Sequence, residues 1–316
     1  MKRLFTGLCM CWGNFCFIPG LKKWDENARS LMLGWLPTIG FAIGIIWMAV
    51  YFGLVYLSFP FLAASFIMMW IPFILSGFIH VDGFMDVSDA LLSRGTLEKK
   101  RAILKDSNTG AMAVTCFVFV VLAWYSFMST AISQQVDLIN LLAIVVIPRA
   151  VSGLFVLNSK PMETSQYAEM HMSDTESDDI YDEADENVPD DIDEECAELE
   201  MTEDGLAAEF TDDFDEETEE ETLQKEETSE ESAEEKASSI RSGNIILIVQ
   251  LVVYLAVMAV FCKYYLSTGI VAAAAALGTM ISVLIAKKEL KGMNGDIAGY
   301  GIVWGELMGV FGLIFI

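Results

Sequence analysis

Long apolar runs broken by short polar stretches set the pattern of this chain, and their lengths predict what they form. Seven of them approach the roughly 20 residues that a helix needs to cross the hydrocarbon core of a bilayer. They run from about Leu33 to Leu57, Phe61 to Ile79, Ala111 to Ile132, Leu138 to Leu157, Ile245 to Tyr264, Gly269 to Ile285, and from just beyond Asp296 to Ile316. Pro37, Gly40 and Gly44 near the start of the first run predict a bent helix or a close helix contact. Met1 to Gly20 is shorter and is interrupted by Gly7, Gly13 and Asn14, with no small-residue cleavage pattern before Pro19; it reads as an interfacial or half-buried helix, not a signal peptide. The predicted fold class is all-α, a polytopic membrane helix bundle of about seven spans.

Composition divides this picture. The chain is 54% hydrophobic yet carries a formal net charge of −26, and 34 of its 45 acidic residues fall between Glu163 and Glu235. The stretch 159–242 is rich in Asp, Glu, Ser and Thr and poor in aromatics, so it buries too little apolar surface to offset the entropy of ordering. It is predicted to be a largely disordered acidic insert between membrane regions 1–158 and 243–316. A solvated spacer is its simplest role; loose buffering of divalent cations or contact with a basic partner are the others. Nucleic acid is not an expected partner. The six cysteines lie mostly in apolar runs without the paired spacing of a zinc site, and read as small apolar filler.

Lysine and arginine orient the spans. Lys2, Arg3, Lys22 and Lys23 place the start of the chain on the cytoplasmic side, and seven spans put the basic loops Arg94 to Lys105 and Lys287 to Lys291 on that same side. The expected location is the cell membrane, multi-pass, with the acidic insert and any site built from those loops facing the cytoplasm.

The chemistry concentrates at His80 to Asp89, directly after the second apolar run. Asp82, Asp86 and Asp89 are spaced i, i+4 and i+7, so a helix projects all three from one face. Three carboxylates so close repel one another, and a hard cation such as Mg²⁺ or Mn²⁺ relieves that repulsion. A solvated helix end is the alternative. The predicted topology brings two further motifs to the same membrane face: Lys105, Asp106 and Ser107 with Gly110, and Gly292 to Gly299 with Asp296. Carboxylates for a cation, basic groups for phosphate and glycines that let a ligand approach the backbone are the parts of phosphoryl transfer. Arg149 lies deep in the fourth run, where it is either functional or snorkels from a span that ends elsewhere.

At these residues the chain resembles the cobalamin synthase family, the adenosylcobinamide-GDP ribazoletransferases. The resemblance rests on an H-x-D-G-x-x-D-x-x-D-A/G-L signature at His80 to Leu91, a K-D-S-x-x-G element at Lys105 to Gly110, and G-D-x-x-G at Gly295 to Gly299 with Glu306 following. Phe17-Ile18-Pro19 and the Pro37, Gly40 and Gly44 group are similar too; the acidic insert, about Glu163 to Ser239, is outside the pattern. The resemblance implies transfer of the adenosylcobinamide phosphoryl group from adenosylcobinamide-GDP to α-ribazole or its 5′-phosphate, with GMP leaving. It implies Mg²⁺ on Asp82, Asp86 and Asp89, His80 as general base or as a partner that orients a carboxylate, and Lys105 on phosphate oxygens. Asp106 and Asp296 would complete the metal or hydroxyl site, and Ser107, Gly110, Arg149, Gly295, Gly299 and Glu306 would contact substrate. Two other readings remain open: a CDP-alcohol phosphotransferase, whose usual aspartate order is missing here, and an ion-coupled transporter, which requires polar residues spread through the spans.

Overall fold

The computed structural model of the chain describes residues 2–106, 108–135, 137–162, 165, 167–168, 219–261 and 265–316. Eleven α-helices stand among the described residues, with no β-strand: α1 Lys2–Phe15, α2 Arg29–Gly34, α3 Leu36–Tyr56, α4 Phe61–Leu75, α5 Ile79–Leu92, α6 Leu97–Ile103, α7 Ala111–Ser133, α8 Leu138–Asn158, α9 Glu219–Phe261, α10 Tyr265–Leu290 and α11 Gly295–Leu313. Met1–His171 and Lys236–Ile316 form one compact unit, described below; Met172–Glu235 forms a second, of which the described residues are the first turns of α9. The predicted disorder of the acidic insert falls mostly on residues outside those described.

The chain is the all-α membrane bundle that the apolar runs predict, with five or six spans among the described residues. Five helices are long and apolar enough to cross a membrane (Leu36–Tyr56, Ala111–Ser133, Ile139–Asn158, Lys236–Val260 and Leu266–Leu290), and a sixth counts if α4 and α5 are one span bent by 90°. The seventh predicted run forms α11, but Asp296 and Glu306 reduce its apolarity. Its glycine-rich surface is buried against α5, α7, α8 and α10, so it is an interior packing element. The α8 span is likewise interior, with 78% of it buried, whereas the Lys236–Val260 stretch of α9 is peripheral at 17%. Gln250 ties that stretch to the bundle, accepting from Thr38 Oγ1 at 2.5 Å and donating to the Gly34 carbonyl at 2.9 Å.

Local chemistry explains the break after α4. Gly77 (φ 63°) and Phe78 (φ 61°) are both left-handed, and the Phe78 N–H donates back to the Phe73 carbonyl at 2.9 Å, closing the helix end in the manner of a Schellman turn. The chain then leaves as α5. At the other edge of the bundle, Met162 N–H donates to Met293 O and Met293 N–H to Lys160 O, both at 3.0 Å, in a short parallel bridge. Met162, Ser165, Tyr167 and Ala168 are buried in the membrane unit. Residues 159–168 therefore include packed chain, although the sequence reading began the insert at 159.

Candidate active site

The site begins with one helix face. On α5 the carboxylates of Asp82, Asp86 and Asp89 share a side, Asp82 exposed and the other two half-buried. Asp296 joins them from the first turn of α11: Asp86 lies within electrostatic reach of Asp82, Asp296 and Asp89. Close backbone approach makes this possible. A Cβ on Gly83 would stand 2.8 Å from the Asp296 Cα, so only a glycine lets α5 cross α11 at this depth. Asn294 then fixes the partner. Its Oδ1 caps α11 by accepting from Ile297 N–H at 2.9 Å, and its Nδ2 donates to Asp296 Oδ2 at 2.7 Å. The sequence reading gave Asn294 no role, although a capping residue three positions before the next apolar position was a legible signal.

The Lys105 to Gly110 element reaches the carboxylates through its last residue. Gly110 caps α7 and packs against the Asp89 carboxylate, which occupies the space a side chain would need. Lys105 and Asp106 are exposed. Asp106 accepts from the Asn108 backbone N–H at 2.9 Å and from its Nδ2 at 2.7 Å, and these bonds hold its carboxyl below the usual carboxylate range. Ser107 lies outside the described residues. The two basic loops meet at this end of the unit: Lys100 Nζ pairs with Glu289 at 2.9 Å, Arg101 donates to the Leu290 and Lys291 carbonyls at 3.3 Å, and Lys287 donates to Ser159 Oγ at 2.9 Å.

Three predicted site residues stand elsewhere. At about 100° per residue, His80 is some 200° round α5 from Asp82, on the opposite face. Its ring is 5% exposed, stacks on Phe15 at 6.2 Å, and neither nitrogen has a hydrogen-bond partner among the described residues. Arg149 and Glu306 are 0% and 2% exposed and pair with each other at 2.5 Å, with a second bond from Arg149 Nη1 to Val145 O at 2.8 Å. Arg149 does not snorkel, and its contacts here are structural. Gly295 opens α11, and Gly299 passes the backbone of His80, a Cβ there lying 3.2 Å from its Cα.

No group of three or more His, Cys, Asp or Glu side chains forms a ready metal cage among the described residues. Magnesium does not require one, since it is commonly held by one or two carboxylates together with waters and substrate phosphates. Four mutually repelling carboxylates with an exposed member fit that kind of ligand set.

Two cavities adjoin α5. One of about 940 Å³ is lined by Phe84, Ser88, Tyr300, Trp304 and residues of α7 and α10. It lies on the wrong side for the chemistry, because Phe84 and Ser88 are about 200° and 240° round the helix from Asp82. The other, about 620 Å³, is bounded by the end of α1, the α4–α5 turn and Asp82 itself.

The chain matches the cobalamin-5-phosphate synthase family over residues 7–181 and 222–314. It belongs to that family. The cobalamin-5-phosphate synthase match includes every carboxylate of the site and, apart from a few residues at each end, omits only the middle of the acidic stretch, so its pattern extends further into both edges of that stretch than the sequence reading placed it. Among relatives, the adenosylcobinamide-GDP ribazoletransferase of Clostridium perfringens strain 13 is 36% identical over 176 residues, 55% of this chain and 70% of its own. That of Clostridium botulinum Eklund 17B is 43% identical over 121 residues, 38% of this chain and 48% of its own. That of Geobacillus strain WCH70 is 28% identical over 175 residues, 53% and 65% of the two chains. No solved structure matches this chain.

Proposed function

We propose that the protein is an adenosylcobinamide-GDP ribazoletransferase that works at the cytoplasmic face of the cell membrane and depends on Mg²⁺. The observation that carries this reading is the convergence of Asp82, Asp86 and Asp89 of α5 with Asp296 of α11, in a chain of this family. The acceptor is α-ribazole or its 5′-phosphate. A ribose hydroxyl oxygen attacks the phosphorus bonded to cobinamide, the bond from that phosphorus to the bridging diphosphate oxygen breaks, and GMP leaves with that oxygen and its electron pair. The products are adenosylcobalamin, or its 5′-phosphate, and GMP.

Asp82, Asp86 and Asp89 would hold the cation. Bound there, Mg²⁺ would supply neutralisation of charge on the diphosphate. The residues do the rest. Asp82, the exposed carboxylate, is placed to orient the hydroxyl. Asn294 keeps Asp296 turned toward the α5 row, and Gly110 leaves Asp89 its space. Lys105, exposed on the neighbouring loop, is the candidate for the phosphate oxygens. His80 lies off this face, so the hydroxyl proton passes to water and not to its ring.

The test is GMP release from adenosylcobinamide-GDP and α-ribazole in membranes carrying the protein, with and without Mg²⁺. Release that needs both ribazole and Mg²⁺ and is lost in Asp82→Asn supports the reading. A folded protein that releases no GMP overturns it.

A further inference from the structure

The 620 Å³ cavity at the α4–α5 turn is a second compartment of the site, and its walls specify what it takes. Asp82 lines it, so it opens on the carboxylate row, and Ile79, some 300° before Asp82 on the helix wheel, lies on the same side of α5. Its volume falls in the range of small-molecule sites, roughly 300–1,000 Å³. Phe17 and Phe78 border it, 69% and 42% exposed, and both are held by backbone bonds, Phe17 N–H to Leu75 O at 2.7 Å and Phe78 N–H to Phe73 O at 2.9 Å. Two aromatic side chains on an anchored backbone beside a cavity suit a planar ring.

Of the polar side chains in the lining, two are already engaged within the fold. Asn14 Nδ2 is engaged with Met32 Sδ at 3.1 Å, and the Ser76 hydroxyl donates to the Pro72 and Phe73 carbonyls at 2.8 and 3.1 Å. Among the described residues, Asp82 is the one charged residue of the lining, and no Lys or Arg belongs to it. A guanine base needs several edge partners, so the guanine end of the donor is poorly served here. An apolar base carrying a ribose is well served, its ring against Phe17 and Phe78 and its hydroxyls toward Asp82.

We propose that this cavity receives the base and ribose of the acceptor nucleoside, with the attacking hydroxyl presented at Asp82. The proposal rests on the transferase reading above and adds where the acceptor sits. The step is the same displacement: the new O–P bond forms from the acceptor side, the bond to GMP breaks on the side away from it, and the hydroxyl proton passes to water.

Gly13 makes the idea testable. It lines the cavity from the last turns of α1, and a Cβ built on it meets nothing within 4 Å. Gly13→Leu fills the cavity from a helical position that prefers leucine to glycine; Gly13→Ala is the milder companion. Steady-state rates of the full chain in membranes, varying each substrate at saturating levels of the other, are expected to show the KM for α-ribazole raised tenfold or more in Gly13→Leu. The KM for adenosylcobinamide-GDP should stay within twofold, and Gly13→Ala should fall between Gly13→Leu and wild type. A raised KM for adenosylcobinamide-GDP, or no change in either, overturns the assignment. Equilibrium dialysis of α-ribazole alone against the purified full chain separates this from the parent reading. Binding that weakens tenfold in Gly13→Leu supports the cavity even if no GMP is released, whereas absence of binding, or binding indifferent to both variants, overturns it.

Discussion

Glu306→Leu tests whether the buried pair with Arg149 is what fastens α8 to α11. In the native protein Arg149 Nη1 has two acceptors, Glu306 Oε1 at 2.5 Å and Val145 O at 2.8 Å, and the side chain has no exposed surface. Removing the carboxylate leaves a full positive charge facing one neutral carbonyl. Stranding one member of a buried pair costs about 3–5 kcal/mol. A charge at the centre of a spanning helix costs about 2.5–3.5 kcal/mol on insertion scales, an independent route to the same size. Each single change, Glu306→Leu or Arg149→Leu, should therefore destabilise by about 3–4 kcal/mol. Glu306→Gln keeps an acceptor and should cost less, about 1–3 kcal/mol. The double change to leucine removes both charges and should recover most of the loss, because apolar replacement of a whole buried pair is often close to neutral. Unfolding free energy in mild detergent, followed by tryptophan fluorescence across a denaturant series, measures all four. Singles that cost less than about 1 kcal/mol, or a double that costs the sum of the singles, would refute the reasoning, since the charges would then be hydrated or uncoupled.

Four further outcomes follow from the site. Asp82→Asn should lower GMP release by about a hundredfold or more, the scale of losing one acid–base or charge-stabilising group, while the unfolding midpoint of this exposed position stays put. Stripping divalent cations with EDTA should abolish release and added Mg²⁺ should restore it; full activity after stripping would rule out the cation site. Gly110→Ala places a Cβ against the Asp89 carboxylate, so activity should drop tenfold or more with little change in unfolding, and an unaffected rate would show that Asp89 is not needed where it stands. Asn294→Ala removes a helix cap worth about 1 kcal/mol and frees Asp296, so stability and rate should fall together.

The helix period made much of this site legible. Spacing alone placed Asp82, Asp86 and Asp89 together, and the Gly-Asp element brought Asp296 to them. The same arithmetic puts His80 on the far side of α5, a fact hidden because motif residues tend to be read as one cluster. Arg149 could be flagged as a costly intramembrane charge, but its partner lies 157 positions away, and only packing reveals a pairing at that separation. Length and hydropathy also marked α11 as a span; it carries two acids that burial conceals and packs in the interior. The edge of the acidic segment was set too early for a similar reason. Between Ser159 and His171 only Glu163 and Glu169 are acidic, and the dense acid run begins at Asp174. Buried Met162 and Tyr167 belong to the bundle.

The 90° turn between α4 and α5 is what brings the acidic motif to α11. Had α4 continued straight, the roughly 28 Å covered from Phe61 to Ile79 would already have crossed the hydrocarbon, and Asp82, Asp86 and Asp89 would have run on past the membrane face, away from Asp296 of α11. The turn instead rests on two left-handed residues, Gly77 and Phe78. Glycine adopts that conformation freely, while a phenylalanine there costs on the order of 1–3 kcal/mol. That strain is offset by the packing of α5 against α11, which a straight helix would forgo. The turn also yields geometry that a straight helix lacks, because it forms one wall of the cavity in which Asp82 stands.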